Sequence, residues 1–522
     1  MEIRQRCKVA ESLSWCFIIL YKGVMFLILT STASFDYCNK NREIAGVMAD
    51  VGIISTCTVR PATAASLDEP TRKIDLTPWD LQFLLVDPIQ KGILFRKHTD
   101  QQEQKALINH LKASLSRTLD FFLPLAGRLA QMTNHNDNTT TFFIDCNNAG
   151  AQFDHATANE LTVADILQPV YIPRVVQSFF PLNGVLNHEG ISKPLLAARV
   201  TELADGFFLG CTINHVVADG TSFWHFINSW SEISRGYSHI SQTPQTKRYF
   251  PEDYNCLPIR IPFFEKELIP NTIVPPGPLE EKVFHFSAET ISNLKAKANA
   301  EAMSISTHQA TTISSLQAVL AHLWRSMIRC RGGDENANQE ISFNIAIGGR
   351  PRLLHPPLGE GYLGNATHFE AVTTSRDELL RHGLRWAAWQ FKKKVASQTP
   401  EEVSNFYKSW VKNPELLKKG SLFRNISASS SPRFNVYGSD FGWGKPVAVR
   451  SGVGNKFDGK VTIFPGVQIR KIVAYVCTKQ SRIGMSTYLS DAARPPKGKA
   501  ICHPSRKLGA QPSLTIKAKD QG

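Results

Sequence analysis

The sequence contains no apolar run long enough to cross a membrane, no C-x-x-C pair and no internal repeat. Its apolar stretch at residues 15–29 is split by Lys22, whereas a transmembrane helix needs about 20 consecutive apolar residues. Ten cysteines are scattered along 522 residues without the spacing of a zinc site. We therefore predict no metal site and no disulfide framework, and mostly reduced cysteines favour a cytoplasmic protein without a membrane partner.

Positive charge is also scarce over most of the chain. The formal net charge is +14, but residues 467–522 contribute +9 and residues 1–47 contribute +2. The long segment between them carries only +3. Because duplex binding depends on clustered basic side chains, we predict no nucleic-acid partner. Residues 467–522 are basic and have little apolar periodicity, so we interpret them as an atypical solvated tail.

The length of the chain exceeds what one hydrophobic core usually holds, which predicts two domains. Residues 236–278 contain eight of the 29 prolines, as is typical of a crossover between domains. Strand and helix patterns alternate on both sides of it, which predicts the α/β class. We assign residues 48–235 to an N-terminal domain, residues 236–284 to the crossover and residues 285–466 to a C-terminal domain.

The N-terminal extension, residues 1–47, differs in character from the rest of the chain. Residues 1–34 combine a basic start, an apolar stretch and small residues, in the order of a secretory signal. If they act as a signal, the protein is secretory or membrane-associated. The interpretation we favour is an upstream extension of the gene model, with the functional protein starting at Met48.

Hydrophobic spacing predicts four elements in the middle of the chain. Leucines four residues apart predict an amphipathic helix over residues 103–119, and an aromatic run predicts a strand over residues 206–214. Apolar residues three and four apart predict a helix from Ser222 onward, capped by Thr221 or Ser222. A further helix is predicted over residues 313–325.

The junction of that strand and helix reads His215-Val-Val-Ala-Asp219-Gly220. A histidine at the end of a strand places a near-neutral base in the cleft that the strand borders. Asp219 can orient the imidazole, cap the helix or pair with an arginine elsewhere, and Gly220 permits a turn closed to other residues. By itself, this spacing is equally typical of a capped helix start beside an incidental histidine.

A second segment, Asp440-Phe-Gly-Trp443-Gly, combines a tight turn with a large aromatic side chain. Its first three residues also occur in protein kinases, but no glycine-rich loop with a following Val-Ala-x-Lys and no His-Arg-Asp precede them. The kinase interpretation is therefore excluded. On its own the segment indicates a structural loop held by Asp440 and Trp443.

Together these two segments closely resemble the plant BAHD acyltransferase family, which is marked by HxxxDG near the middle of the chain and DFGWG toward its end. The resemblance runs from about Met48 to Gly466. Within the family, the blocks Leu-Thr-Pro-Trp-Asp and Gly-Tyr-Leu-Gly-Asn-Ala resemble a subgroup described as acetyltransferase-like and uncharacterised. The supporting blocks are Leu76-Thr-Pro-Trp-Asp-Leu81, Pro124-Leu-Ala-Gly-Arg-Leu129, Gly349-Arg350-Pro-Arg352, Gly361-Tyr-Leu-Gly-Asn-Ala366, and Val449-Arg-Ser-Gly452 with Asn455-Lys-Phe-Asp-Gly459.

The resemblance implies two similar domains like those of chloramphenicol acetyltransferase, each a mixed β-sheet with flanking helices, and a solvent channel between them. It implies acyl transfer from acyl-CoA, with acetyl-CoA as the first guess, to a small-molecule alcohol, phenol or amine. Acyl-CoA is a co-substrate, so no permanently bound cofactor is implied, and a monomer is expected. His215 would be the general base without an acyl-enzyme, in keeping with the missing G-x-S-x-G elbow.

The family pattern also implies roles for the remaining residues of the two motifs. Asp219 would pair with Arg350 and, with Gly220, support the turn that aims His215. Asp440 is a second catalytic candidate, but the interpretation we favour for it, as for Asp219, is a structural role.

Further residues are implied as supports or binding groups. Gly442, Trp443 and Gly444 would support the site, and Trp443 would help to line the channel for the oxyanion. Ser314 and Ser315 resemble positions near the CoA-binding side, where a helix N-terminus favours an anionic phosphate.

One departure from the family concerns the end of the second domain. The family continues after Gly466 with a strand that closes the domain, whereas here Val467 begins the basic tail, so we do not expect that strand. Two other functions stay open: a non-catalytic protein that binds CoA or a small acid, and a lyase that acts on a bound acid in the same channel.

Overall fold

A computed structural model gives the fold and describes only part of the chain. The described residues are 16–21, 24–29, 51–63, 72–96, 103–250, 258–262, 279–301, 312–331, 338–350, 357–418 and 425–479. Within them are two six-stranded sheets, a four-stranded sheet and a two-stranded hairpin. Apart from that hairpin, the signal-like segment of residues 1–34 lies outside the described residues, and so do residues 480–522.

The strands and helices are numbered here in chain order. The strands are β1 Cys16–Tyr21, β2 Val24–Leu29, β3 Gly52–Val59, β4 Arg72–Asp75, β5 Ile89–Arg96, β6 Arg128–Asn134, β7 Thr139–Cys146, β8 Ala151–Ala158, β9 Leu196–Leu203, β10 Gly206–Ile213, β11 Ile261–Pro262, β12 Leu279–Phe286, β13 Glu340–Gly348, β14 Thr367–Ser375, β15 Ile426–Ser429, β16 Ala448–Ser451, β17 Lys460–Pro465 and β18 Ile472–Lys479. The α-helices are α1 Pro78–Leu81, α2 Glu103–Leu119, α3 Val163–Leu167, α4 Gly220–Ser234, α5 Ala288–Ala300, α6 Ser315–Cys330, α7 Arg376–Arg381, α8 Leu384–Ala396 and α9 Pro400–Lys412. Single-turn 3-10 helices occur at Leu123–Ala126, Arg174–Phe179 and Asn187–Ile191.

The first sheet has the strand order β16-β5-β10-β9-β8-β3 and carries the strand that leads to His215. All pairs are antiparallel except β8 with β9, so the sheet is mixed. Strand β10 is buried along its whole length, because its sequence GFFLGCTI presents apolar or small side chains on both faces. Helices α2 and α4 pack against each other over the same core, and Trp230 Nε1 of α4 donates to Ser114 Oγ of α2 at 3.0 Å.

The second sheet has the strand order β12-β18-β17-β15-β13-β14 and also mixes parallel and antiparallel pairs. Helices α5, α6 and α8 form one core with one face of this sheet, where Trp324 is fully buried. Phe464 and Tyr475 belong instead to the core of the first domain. The second sheet is thus held between its own helices and the first domain, and the predicted two-domain α/β fold class is confirmed.

The structure corrects the predicted limits of the C-terminal domain. Strand β18, within the predicted tail of residues 467–522, pairs with β12 and β17 inside the second sheet. Its apolar segment IVAYVC lies among basic residues, so we did not predict it as a strand, and the closing strand of the domain is present.

Two further boundaries differ from the prediction. Strand β12 begins at Leu279, within the predicted crossover of residues 236–284. Strand β16, within residues 285–466, pairs with β5 and completes the first sheet.

The elements predicted from hydrophobic spacing are present with small changes at their ends. The helix over residues 103–119 and the strand that begins at Gly206 are confirmed. Helix α4 begins at Gly220 and is capped by Asp219, not by Thr221 or Ser222. A carboxylate precedes those hydroxyls in the chain and reaches two free backbone N–H groups of the first turn.

For the described part of the chain, the structure can be compared with the predictions of no membrane span and mostly reduced cysteines. No helix there is long and apolar enough to cross a membrane. Five cysteines there are free thiols, at positions Cys57, Cys146, Cys211, Cys330 and Cys477.

Candidate active site

A cavity of about 1470 Å³ lies between the two sheets and is lined from both halves of the chain. The first half contributes Phe83, Lys91 and three residues of one turn, His215, Asp219 and Gly220. The second half contributes side chains of β13, β15 and β17 and the start of α6. The cavity is large enough for a cofactor-sized molecule together with a small acceptor.

His215 follows β10 directly and is held on both sides of its backbone. Its N–H donates to Asn187 Oδ1 at 2.8 Å, and its carbonyl accepts from Asn365 Nδ2 at 2.8 Å. Its ring stacks on Phe83, with 3.8 Å between ring centroids and 11° between ring planes. Nδ1 is buried and has no hydrogen-bond partner among the described residues. Backbone and ring are therefore fixed before any substrate binds.

The surroundings of His215 favour the neutral imidazole. Burial lowers the pKa of His215 from 6.5 to about 4, since removal from water disfavours the charged ring. The charge of Asp219 opposes this shift, whereas that of Lys460 adds to it. At neutral pH the ring is therefore uncharged and has a lone pair that can accept a proton.

Asp219 is fully buried and does not bond to the His215 ring in the structure. Its oxygens accept from Arg350 Nη1 at 2.5 Å and Nη2 at 2.8 Å, so the predicted ion pair with Arg350 is present. They also accept from the backbone N–H groups of Thr221 and Ser222, each at 3.0 Å, and of Ala366 at 3.1 Å. Burial opposes ionisation, but the Arg350 guanidinium holds the pKa of Asp219 below its ordinary value. The pair therefore joins the start of α4 to the second half of the chain.

A second buried network supports the turn from behind, and sequence reasoning missed it. Asp80 accepts from Arg248 Nε at 3.0 Å and from Asn365 Nδ2 at 2.9 Å. Arg248 Nη2 donates to the carbonyl of Val217 at 3.1 Å, while Asn365 holds the carbonyl of His215. The blocks with Asp80 and Asn365 were recognised as family blocks but received no role. The signal that the sequence offered was the presence of each residue in a matched family block.

Asp440, predicted as a catalytic candidate, does not line the cavity. Its Oδ1 accepts from the backbone N–H groups of Gly442 at 2.9 Å and Gly444 at 3.0 Å, and its carbonyl accepts from Arg235. Gly442 and Gly444 have φ of +110° and +100°, which residues with a Cβ rarely adopt. The carboxylate therefore closes its own loop, an arrangement that fits the structural role.

Trp443 is not among the residues that line the cavity, so its position fits the predicted support of the channel better than the lining of it. It stacks on Phe441 with 5.6 Å between ring centroids and meets Phe207 edge to face at 5.0 Å. These rings belong to the first domain's core or pack against it. The loop therefore anchors the second half of the chain on the first domain, because an aromatic cluster of this size excludes water from the contact.

Ser314 and Ser315 lie where helix α6 opens onto the cavity. Ser314 caps the helix: its hydroxyl accepts from Gln317 N, and Gln317 Oε1 accepts from Ser314 N at 2.8 Å. The N-terminus of a helix of this length carries a partial positive charge. Gly220, at the start of α4, borders the same cavity, and a Cβ there would lie 3.0 Å from the Phe434 ring.

Comparison with known proteins gives consistent relationships over most of the chain. A model described as "Transferase family" matches residues 49–492. An uncharacterised acetyltransferase of Arabidopsis thaliana is 41% identical over 427 residues, which cover 81% of this chain and 94% of that protein. The BAHD acyltransferase DCR of the same plant is 32% identical over 412 residues, 76% of this chain and 83% of that protein.

Solved structures share the fold at low sequence identity. Vinorine synthase superposes with a TM-score of 0.60 at 20% identity and covers 84% of this chain and 96% of its own. F. graminearum TRI101, in complex with coenzyme A and deoxynivalenol, superposes with a TM-score of 0.62 at 16% identity and covers 79% and 96%. These likenesses establish the architecture.

Two sheet-containing domains around a cavity lined by a half-buried histidine define a two-domain α/β protein, and the matching family model makes it a transferase. The family model and the relatives then identify the kind of transferase. The chain belongs to the BAHD acyltransferase family.

Proposed function

We propose that the protein transfers an acyl group from acyl-CoA to a hydroxyl or amine of a small molecule, with His215 as general base. The observation that carries this proposal is an imidazole that is fixed by backbone hydrogen bonds and by stacking on Phe83 at the wall of a cavity between two domains. Family membership and the structural neighbour bound to coenzyme A support acyl-CoA as the donor.

In the proposed reaction, His215 accepts the proton of the acceptor O–H or N–H. Because Nδ1 is buried, we assign this role to Nε2. The acceptor oxygen or nitrogen attacks the thioester carbonyl and forms a C–O or C–N bond in a tetrahedral intermediate. The C–S bond then breaks, and the thiolate of CoA receives the proton from His215. General-base assistance of this kind contributes about 10²–10⁴-fold in rate.

We assign the donor side of the cavity to the N-terminus of α6. Ser314, Ser315 and Lys295 border the cavity there, and a helix N-terminus attracts an anion such as a phosphate of CoA. Acetyl-CoA is the proposed donor, supported by the acetyltransferase among the relatives. Hydroxyl and amine acceptors are both proposed.

The proposed setting is a monomer in the cytoplasm. The free thiols of the described cysteines support a reducing compartment. Size-exclusion chromatography with light scattering tests the monomer, and a mass twice that of the chain would contradict it.

The test of the proposed function is acceptor-dependent release of CoA thiol by the full chain. Reactions combine acetyl-, malonyl- or hydroxycinnamoyl-CoA with pooled plant alcohols, phenols and amines, and mass spectrometry follows the products. We expect release that requires an acceptor, and a product heavier by the acyl group. Calorimetry with CoA accompanies the assay. A folded protein that binds no CoA would overturn the proposal.

A further inference from the structure

Besides Lys295 on helix α5, three lysine side chains of the sheets and an adjoining loop line the cavity, and the motifs contain no role for them. Lys91 belongs to β5 of the first sheet, and Lys460 begins β17 of the second. Lys456 lies in the loop before β17. All three border the same cavity as His215. A cavity wall with this much positive charge attracts an anionic ligand group.

Lys456 differs from the other two because it has a carboxylate partner. Its Nζ lies 2.6 Å from Glu281 Oε2 and donates to the carbonyl of Ser451 at 3.2 Å. Burial opposes its charge, but Glu281 raises the pKa of Lys456 above the ordinary value. This pair is neutral overall and serves as part of the wall.

Lys91 and Lys460 form no ion pair with any described residue. Lys91 Nζ donates to Ser451 Oγ at 2.8 Å and lies 5.2 Å from the centre of the Phe464 ring. Lys460 Nζ lies 5.7 Å from the centre of the Phe457 ring. Burial lowers the pKa of Lys91 to about 7 and that of Lys460 to about 8. Both side chains are half-buried at the cavity wall, where an ammonium is incompletely hydrated, and a bound carboxylate would stabilise its charged form.

Hydroxyl groups flank Lys460 on the same wall. Thr462 shares its face of β17, and Ser427 and Ser429 occupy the paired positions on the neighbouring strand β15. All of them line the cavity. Hydroxyls donate to carboxylate oxygens that are already held by an ammonium. The combination of two lysine side chains and three hydroxyls is therefore suited to an anion with several acceptor oxygens, whose charge would in turn favour the protonated lysines.

The position of Lys460 relative to His215 indicates which anion this is. Lys460 and His215 line the same cavity, and the charge of Lys460 is among the causes of the lowered pKa of His215. The long pantetheine arm of CoA separates its phosphates from the thioester that must meet His215. An anion beside the base therefore belongs to the acceptor or to the acyl group. We propose that Lys91 and Lys460 bind a carboxylate of the substrate, which makes one reaction partner an acid.

This inference rests on the proposed function, and binding measurements separate the two. Calorimetry with the full chain uses 4-hydroxybenzoate and 4-hydroxycinnamate, each against its methyl ester, and malonyl-CoA against acetyl-CoA. We expect one acidic member of a pair to bind about 10-fold or more tightly than its neutral counterpart. A preference among the phenols assigns the carboxylate to the acceptor, and a preference for malonyl-CoA assigns it to the acyl group.

Variants then identify the lysines that are responsible. In K460M the preference for the acid over its neutral counterpart should fall about 10-fold. K91M should lose part of this preference, and K460R should keep most of it. K408M, which removes an exposed lysine of α9, is the matched control and should keep all of it. Circular dichroism and CoA binding show that each variant is folded. Equal affinity for every acid and its counterpart in the wild type, or an unchanged preference in K460M, would overturn the inference. If the folded wild type does not bind CoA, that result would instead count against the proposed function.

Discussion

Removal of the Asp219 carboxylate should be among the most damaging single changes outside the reacting groups. Asp219→Ala leaves the Arg350 guanidinium buried without its partner, since the two side chains are 1% and 8% exposed. Breaking a buried pair in this way costs about 3–5 kcal/mol, and the lost cap of α4 costs about 1 kcal/mol. The expected loss is therefore about 4–6 kcal/mol, a large part of the roughly 5–15 kcal/mol that stabilises a typical protein.

The assay is urea denaturation followed by tryptophan fluorescence, with kcat measured on the folded fraction. Asp219→Asn keeps an oxygen that can cap α4, so it should lose about 1 kcal/mol less than the alanine variant. The double variant Asp219→Ala with Arg350→Met should be more stable than Asp219→Ala alone, because no unpaired charge is then buried. Asp377→Asn, in an exposed pair with Arg381, is the control and should change stability by less than about 0.5 kcal/mol. A loss below about 2 kcal/mol in Asp219→Ala would refute this reasoning.

Three further outcomes are expected from the geometry of the site. The acid limb of kcat/KM should lie near pH 4, because the pKa of His215 is lowered from 6.5 to about 4 and the ring stays neutral above that value. Replacement of the stacked ring in Phe83→Leu should move this limb toward pH 6.5 and lower kcat, because water then reaches the imidazole. Asp440→Ala should reduce stability by about 1–3 kcal/mol and change KM little, because its carboxylate bonds to Gly442 and Gly444 outside the cavity. pH–rate profiles of the wild type and Phe83→Leu measure the first two outcomes, and urea denaturation with steady-state kinetics of Asp440→Ala measures the third.

Each of these outcomes has a result that would contradict it. An acid limb near pH 6.5 in the wild type would show that His215 is solvated, and an unmoved limb in Phe83→Leu would show that stacking does not protect it. Asp440→Asn keeps an acceptor oxygen and should stay close to the wild type. A large fall in kcat for Asp440→Asn in a stable protein would return Asp440 to the catalytic candidates.

The fold and the centre of the site were accessible from the sequence because their signals are local. An unbroken apolar run predicted β10, and spacing of three and four predicted α4, so His215 was placed correctly at their junction. The ion pair of Asp219 with Arg350 came from the resemblance, since no local pattern joins residues so far apart in the chain. Because the pair is present, the matched family blocks predicted a contact between residues that are distant in the sequence.

The features that sequence reasoning missed depend on distant segments meeting in space. Strand β16 crosses to the first sheet, and no periodicity shows which sheet a four-residue strand will join. Lys91 and Lys460 lie on strands of different sheets, so their shared cavity became visible only once the sheets were assembled. The sequence left two roles open for Asp440, because a carboxylate beside glycines fits a loop closure as well as a catalytic role.

The most direct test of His215 as the base compares the full chain with its His215→Ala and His135→Ala variants under single-turnover conditions. His135 is an exposed histidine in the turn between β6 and β7 and serves as the control. We predict that acyl transfer falls about 10²–10⁴-fold in His215→Ala, that CoA binding is retained, and that His135→Ala matches the wild type. Transfer by a folded His215→Ala variant at the wild-type rate would contradict the proposed mechanism.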